Sequence, residues 1–406
     1  MNMKPTLTPL TRRQLLQRAA LGIGSLALHD IACAASNPLA ARIPGHTIQS
    51  LDLRPVPLPW PRLVGKNAKR DIHGRGPTIT VAILKTDQGA MGWGELGGNP
   101  KDLEKLRALV VGKPVSEIIN PAAGTTLREA QPLDIALHDL AGVMLGQPVW
   151  KMLGAEKPHL YPVYSGMVYF DDLEPKDNPA GIAQVLRNCA ADRELGYRQL
   201  KVKIGRGNRW MSKEDGLKRD IEVVREIHKA FPDCELLVDA NDGFNVETTI
   251  AFLKGIEGIP LFWIEEPFVE TVAAWKELHA WTSAHGWGKT LLADGEQHND
   301  IPVLEELEAA GILNVRLHDI IGHGFTPWRA LMPKLVKTRT ACSPHAFGSG
   351  LKTIYAAHLV AGLGNGCSVE GVSCSHEHVD FGENVIRDGK MQVSNKPGFG
   401  LALRGA

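Results

Sequence analysis

Two stretches, Leu236-Leu-Val-Asp239-Ala-Asn241 and Phe262-Trp-Ile-Glu265-Glu-Pro267, are short apolar runs that end in acidic residues. Six more apolar runs lie at 162–166, 199–204, 290–295, 312–318, 339–345 and 366–371, and all but 199–204 end in a charged residue, a histidine or a glycine. Amphipathic helical patterns fill most of the gaps, for example at 220–230. Eight strands alternating with helices predict a parallel α/β fold, a (β/α)8 barrel over residues 160–371. Polar residues at the ends of such strands lie at the mouth of the barrel, where catalytic groups are found.

A smaller predicted domain with a different pattern of strands and helices precedes the barrel at residues 46–150. Residues 47–55 and 78–85 are predicted strands, and the turn-rich run Gly92-Trp-Gly-Glu95 follows them. Helical patterns begin at Leu103 and Leu133. Between the first two strands, residues 56–77 are rich in proline, glycine and basic residues, which predicts a loop.

The first 35 residues have the features of an export signal. Arg12 and Arg13 precede a short apolar stretch from Ala19 to Leu28, and small residues follow at 32–35. This apolar stretch is too short to cross a bilayer, which needs about 20 residues. The arginine pair resembles a twin-arginine signal, so we expect a soluble periplasmic protein.

Composition excludes several classes of partner. Among 406 residues, Lys and Arg together number 45 and so do Asp and Glu, so the net charge is zero. This balance gives no support for a nucleic-acid or anionic-membrane partner. We expect a small carboxylate substrate, further copies of the same chain, and no membrane contact once the signal is removed.

Lys201 and Lys203 lie in one apolar strand, and strand alternation points both side chains to the same side. If that side is the barrel interior, repulsion and desolvation should lower the pKa of at least one lysine, which could then act as a base. The alternative is an exposed strand with two surface lysines.

Asp239, Glu265 and Glu296 end three successive predicted strands. Three converging carboxylates are unfavourable without a cation, and hard oxygen donors without Cys or His select Mg²⁺. The alternative is three unrelated surface acids. His345 ends the seventh strand and Glu370 the eighth; opposite the lysine pair, His345 becomes the natural second acid or base.

The order of these motifs resembles the mandelate racemase subgroup of the enolase superfamily. The segments around Gly92 and Leu133 and the closing Pro397-Gly-Phe-Gly-Leu401 also resemble that family. The resemblance implies an N-terminal α+β capping domain completed by residues 372–406. It also implies abstraction of a proton alpha to a carboxylate through an enediolate stabilised by Mg²⁺.

The same resemblance implies individual roles for the residues at the strand ends. Asp239, Glu265 and Glu296 would bind Mg²⁺. Lys203 would be the first base, with Lys201 tuning it. Asn241 and Glu370 would lie beside the substrate carboxylate.

The sixth strand departs from the subgroup, which places an aspartate there to orient the histidine of strand seven. Aligning on Gly324-Phe-Thr326 puts His318 at that position and Asp319 one residue later, while Arg316 followed by His318 looks like mannonate dehydratases. Only one of two adjacent residues can face the interior. We therefore expect His318, rather than Asp319, to partner His345, and Arg316 to face the substrate. In the alternative register Asp319 faces inward and partners His345.

These features favour a sugar-acid dehydratase that forms a 2-keto-3-deoxy acid. A racemase or epimerase of a 2-hydroxy acid and a cycloisomerase are the alternatives within the superfamily. A catalytically silent periplasmic binding protein is the alternative of another class, although it would not need a base on each face.

Overall fold

The computed structural model describes residues 43, 45–98, 103–296 and 299–405. The predicted signal at 1–35 lies outside these ranges. Within them, no helix is both long and apolar enough to span a membrane.

The N-terminal domain is built on a three-stranded antiparallel sheet. Its strands are β1 (Ile48–Pro57), β2 (Thr78–Thr86) and β3 (Met91–Glu95), paired in that order. The helices of this domain are α1 (Leu103–Val110), α2 (Val115–Ile118), α3 (Asp134–Leu145) and α4 (Val149–Met152), and a minor pair of strands is β4 (Ile119–Asn120) with β5 (Gly124–Thr125). Gly92 and Gly94 let α3 approach β3 closely, because a Cβ at either position would lie about 2.3 Å from Leu140 or Ile135. The apolar face of the sheet is thus buried against a helix.

Eight parallel strands form the second domain and confirm the predicted barrel. They are β6 (Val163–Val168), β7 (Gln199–Lys203), β8 (Glu235–Asp239), β9 (Leu261–Glu265), β10 (Leu291–Asp294), β11 (Val315–Arg316), β12 (Ala341–Cys342) and β13 (Val369–Gly371). Neighbours in sequence are neighbours in the sheet from β6 to β12, and β13 pairs with β6. A parallel bridge between Cys342 and Gly366 joins the remaining two edges, which closes the barrel.

Helices follow the strands and cover the outside of the barrel. They are α5 (Ile182–Glu194), α6 (Lys213–Ala230), α7 (Val246–Gly255), α8 (Val272–Ala284), α9 (Ile301–Ala309), α10 (Phe325–Thr338) and α11 (Gly350–Leu363). Alternate strand residues point outward to these helices or inward to a small central core. Tyr164, Leu237, Trp263, Ala293, Val315 and Leu317 form the inner core.

The C-terminal segment hydrogen-bonds to the N-terminal domain. It contains the short strands β14 (Val379–Asp380), β15 (Ile386–Arg387), β16 (Lys390–Met391) and β17 (Ala402–Leu403). The backbone N–H of Phe399 donates to Asp139 on α3 at 2.8 Å, and Arg54 on β1 donates to the carbonyls of Arg404 and Gly405. The end of the chain therefore ties the barrel to the N-terminal sheet.

The loop at residues 58–77 extends from the N-terminal domain over the barrel mouth. Arg62 forms a 2.5 Å ion pair with Asp192 on α5, and the backbone N–H of Gly65 donates to Asp171. Lys69 pairs with Asp242 after β8. These contacts hold a segment of the smaller domain against the carboxyl ends of the strands, and we call residues 58–77 the cap loop.

Candidate active site

Three carboxylates converge at the barrel mouth. Asp239 and Glu265 are the last residues of β8 and β9, and Glu296 lies two residues beyond β10. One oxygen from each lies within 4.8 Å of the other two. Asp239 and Glu265 are almost fully buried. The sequence prediction that these acids meet is confirmed.

The electrostatics of this triad suit a divalent cation. Burial and the neighbouring Asp239 raise the pKa of Glu265 to about 8. Its Oε2 atom is buried and has no hydrogen-bond partner among the described residues. Burial also opposes ionisation of Asp239, but Lys203 and Lys201 lower the pKa of its carboxyl to about 2. A hard cation would satisfy the buried oxygen and favour the ionised form of Glu265, so the donor set fits Mg²⁺.

Lys201 and Lys203 both face the interior, as predicted. The Lys201 ammonium lies 2.8 Å from Glu265 and 3.0 Å from Glu370, and Lys203 forms an ion pair with Asp239. The expected lowering of a lysine pKa is wrong for this arrangement. Burial would lower both values, but Glu265 and Glu370 outweigh it for Lys201 and Asp239 does so for Lys203, so both pKa values are raised. A cation on the triad would oppose this effect.

His345 lies on the other side of the triad from the lysines. Its Nε2 atom lies 3.2 Å from Glu296 Oε1 and 3.7 Å from Glu370 Oε2. Its Nδ1 atom lies 2.9 Å from Asp319 Oδ2, an arrangement in which the ring N–H donates to the carboxylate. Burial alone would lower the pKa of His345, but Glu296, Glu370 and Asp319 raise it to about 9.

The predicted pairing of His318 with His345 is therefore wrong, because Asp319 occupies that position. The backbones of Asp319 and His345 form a parallel bridge, which places the two side chains next to each other. His318 faces away from the substrate side, with Nδ1 2.7 Å from the carbonyl oxygen of Gly295 and Nε2 2.8 Å from Arg316. Burial and then Arg316 lower the pKa of His318 to about 3, so its ring is neutral near pH 7.

The prediction that Arg316 faces the substrate is also wrong. Its guanidinium Nε donates to Glu308 on the outer helix α9 at 2.8 Å. Arg316 and His318 do share one side of the strand, as alternation requires. That side faces outward, while Leu317 contributes to the inner core.

Asn241 and Glu370 lie at the site in different ways. Asn241 lines the cavity above the triad, its backbone N–H donates to Asp239 at 2.9 Å, and its φ of 44° is left-handed. Glu370 is fully buried beneath Lys201 and His345, and its Oε2 accepts the N–H of Ala346 at 2.6 Å. Their proposed contacts with the substrate carboxylate stay predictions.

A cavity of about 500 Å³ opens above these groups. The cap loop contributes Lys69, Arg70 and His73 to the lining of this cavity. An aromatic wall, formed by Trp60, Tyr169 and Phe347, lines one part of the cavity; Phe347 lies 5.3 Å from Trp60 and 5.2 Å from Tyr169 between ring centroids.

Sequence reasoning missed Lys352, which lines the cavity and lies 3.1 Å from Asp319. It lies in the first turn of α11, the helix that follows His345. Helices of this fold begin near the mouth of the barrel. A charged residue in the first turn of such a helix could therefore have identified Lys352 as a candidate site residue.

Comparison with known proteins agrees with this geometry. The family model described as enolase C-terminal domain-like matches residues 184–406. The L-talarate/galactarate dehydratase of Salmonella typhimurium is 28% identical over 317 residues, which cover 76% of this chain and 70% of that protein. The D-galactarolactone cycloisomerase of Agrobacterium fabrum is 22% identical over 352 residues, or 79% and 87% of the two chains.

Solved structures include those of galacturonate dehydratase from Geobacillus sp., which is 28% identical to this chain. The complex with D-galacturonate and 5-keto-4-deoxy-D-galacturonate has a TM-score of 0.81 and covers 88% of this chain and 95% of that one. A variant of the same enzyme was crystallised with Mg, again with a TM-score of 0.81 and with coverage of 88% and 93%. Asp239, Glu265 and Glu296 form the metal-binding triad of this protein. This chain belongs to the enolase superfamily, in the mandelate racemase/muconate lactonizing enzyme family, and is an enzyme of the group that contains acid-sugar dehydratases, cycloisomerases and racemases.

Proposed function

We propose that this enzyme dehydrates a sugar acid to a 2-keto-3-deoxy acid. One observation carries the proposal: two proton-transfer groups flank the carboxylate triad from opposite ends. Lys203 pairs with Asp239 at one end, and His345 lies 3.2 Å from Glu296 at the other. Both side chains line the same cavity. A substrate bound there would present one face to each group.

The side chains divide the elimination between them. Lys203 in its neutral amine form, which a cation on the triad would favour, accepts the proton from the carbon alpha to the carboxylate; this breaks the C–H bond and leaves its electron pair on the substrate. His345 donates a proton from Nε2 to the beta hydroxyl, which departs as water when the C–O bond breaks. The resulting enol becomes the 2-keto acid when its beta carbon gains a proton and its hydroxyl oxygen loses one. Mg²⁺ held by Asp239, Glu265 and Glu296 would supply Lewis-acid stabilisation of the negative charge that develops on the carboxylate.

Two features of the cavity support a sugar acid as substrate. The cap loop contributes basic residues, which attract an anion, and polar groups such as Asn67 and Asn241 can hydrogen-bond hydroxyls. The aromatic wall offers apolar surface for the C–H face of a sugar. The Geobacillus enzyme, which shares this fold, was crystallised with a sugar acid.

A panel of sugar mono- and diacids, assayed for 2-keto acids in the presence of Mg²⁺, tests the proposal. Dehydration predicts a 2-keto acid from at least one panel member and none from the Lys203→Met variant. Incubation in D2O separates the alternatives. Deuterium incorporation alpha to the carboxylate with no loss of water would contradict dehydration and indicate a racemase or epimerase, and formation of a lactone would indicate a cycloisomerase.

We also propose that the protein is exported through a twin-arginine signal. The adjacent Arg12 and Arg13 before a short apolar stretch support this. Replacing both arginines with lysine should leave the protein in the cytoplasmic fraction of a bacterial host with that export route. Replacing Arg18, which lies outside the pair, is the matched control. Periplasmic recovery of the double variant at the normal rate would contradict the proposal.

A further inference from the structure

Lys352 is a buried cation on the His345 side of the cavity. It is the third residue of α11, and its side chain is 16% exposed. Its Nζ atom donates to Asp319 Oδ2 at 3.1 Å. Lys352 thus contacts the residue that orients His345, although His345 itself lies on a different element.

Asp319 is held at both oxygens. Its Oδ1 accepts the backbone N–H groups of Ile321 at 2.9 Å and Gly322 at 2.7 Å. Its Oδ2 faces His345 Nδ1 at 2.9 Å and Lys352 at 3.1 Å. Lys352 and His345 therefore share one oxygen atom. Without the lysine, that oxygen would be open to water from the cavity on one side, and the plane of the carboxylate would be less restricted.

A contact from the N-terminal domain holds Lys352 in place. Ser349, the residue that caps α11, accepts the backbone N–H of Lys352 at 3.3 Å. The Ser349 hydroxyl in turn donates to Glu95 Oε2 on β3 at 2.7 Å. Against the effect of burial, the charge of Glu95, after that of Asp319, also raises the pKa of Lys352. The first turn of α11 is thus fixed from the cap side and directed towards the histidine–aspartate pair.

We propose that Lys352 is a positioning residue: it fixes the carboxylate of Asp319 so that the His345 ring stays directed at the leaving group. This inference rests on the proposed function for the step it affects. In this role Lys352 does not contact the substrate and does not affect proton transfer by Lys203.

The variants Lys352→Met and Lys352→Arg test the inference in the Mg²⁺-loaded enzyme. Lys66→Met is a matched control, because Lys66 is similarly buried, pairs with Glu174 at 2.5 Å and more distantly with Asp71 at 3.9 Å, and is absent from the cavity lining. With the panel acid that is turned over fastest, Lys352→Met should lower kcat for loss of water roughly 10- to 100-fold, as when a group supporting a catalytic ligand is removed. KM and deuterium exchange on the Lys203 side should stay within about twofold, and Lys352→Arg should recover part of kcat.

Three outcomes would overturn the inference: an unchanged kcat, a raised KM with kcat unchanged, or an equal loss of exchange and elimination. If the enzyme proves to be a racemase, the same variant should slow only the exchange that His345 performs.

A measurement without substrate keeps the two proposals separate. In nuclear magnetic resonance, the ring N–H of His345, assigned by its loss in His345→Asn, should exchange with water faster in Lys352→Met than in Lys66→Met. Equal rates in both variants would contradict the positioning role whatever the reaction.

Discussion

Strand β7 and the segment that begins with β11 carry the same kind of pattern but use it in opposite ways. In β7, Lys201 and Lys203 are polar residues at alternate positions, and both point into the barrel. After Val315, the polar residues at alternate positions are Arg316 and His318, and both point outward. Alternation therefore identifies two faces of a strand, but it does not identify which face is inside.

In each strand, the charged side chains point towards their ion-pair partners. The lysines meet Glu265, Glu370 and Asp239, which lie inside the barrel mouth. Arg316 instead finds Glu308 on the helix before its strand, eight residues earlier in the chain. A buried guanidinium needs such a partner, and Glu308 provides it on the outward side. Leu317 and Asp319 then face the interior by the same alternation.

Replacing Asp319, on the inward face, is expected to have a much larger effect than replacing its outward neighbour His318. Asp319→Asn should lower turnover by roughly 10² to 10⁴, because the amide cannot hold the His345 ring as a carboxylate does. His318→Asn is the matched variant on the adjacent residue, and it should lower turnover less than roughly tenfold, because its ring contacts the Gly295 backbone and Arg316 and not His345. Steady-state kinetics on the acid that shows turnover, with circular dichroism to verify folding, measures both. The opposite ranking would restore His318 as the partner of His345.

The contrast also explains what could be predicted from the sequence. Strands β7, β8 and β9 each have five residues. Apart from a shift between Leu236 and Leu237, they pair in register up to their last residues, so Lys203, Asp239 and Glu265 lie side by side as simple alternation predicts. Strands β11 and β12 have two residues each, and the pairing continues only as a single bridge at Asp319. A short strand does not fix the register of the residues beyond it.

Other features depend on contacts between distant segments. Lys352 lies in a helix, and its importance arises from Asp319, 33 residues earlier. The raised pKa values of Lys201 and Lys203 depend on carboxylates from three other strands. Strand alternation predicts that the two lysines lie on the same side. It does not determine whether their mutual repulsion or their attraction to those acids has the larger effect on their pKa values.

Glu265 ends β9, where strand alternation predicted the position of the site residues correctly. Glu265→Gln should weaken Mg²⁺ binding by roughly 100-fold or more, above the 10- to 100-fold typical of losing an outer partner of a metal ligand. Glu266→Gln is the matched control, since this neighbouring buried carboxylate is not part of the triad. Its effect should stay below roughly tenfold. Calorimetric titration with Mg²⁺ measures both variants, and equal affinities for the two would remove Glu265 from the metal site.

The last prediction has the smallest effect and tests the outward face directly. Arg316 places Nε and Nη2 at 2.8 and 2.7 Å from one oxygen of Glu308, and Nη1 at 2.8 Å from His318. A lysine has a single charged atom and cannot make all of these contacts. Arg316→Lys should therefore lower the free energy of unfolding by about 1–2 kcal/mol, measured by urea denaturation with tryptophan fluorescence. The matched control is Arg219→Lys, whose side chain is 31% exposed and lies 3.5 Å from Asp172; its effect should stay within about 0.5 kcal/mol.

Activity then separates the two possible directions of Arg316. Because its side chain contacts the outer helix and does not line the cavity, Arg316→Lys should leave KM and kcat within about twofold, which is less than about 0.4 kcal/mol. An arginine that bound the substrate through two hydrogen bonds would behave differently, since lysine would lose one of them and KM would rise roughly tenfold. A large rise in KM with unchanged stability would show that the sixth strand turns its polar residues inward, as β7 does. A loss of stability with unchanged KM would instead establish that the alternating polar residues point outward and stabilise the fold at β11, whereas at β7 they point inward to the active site.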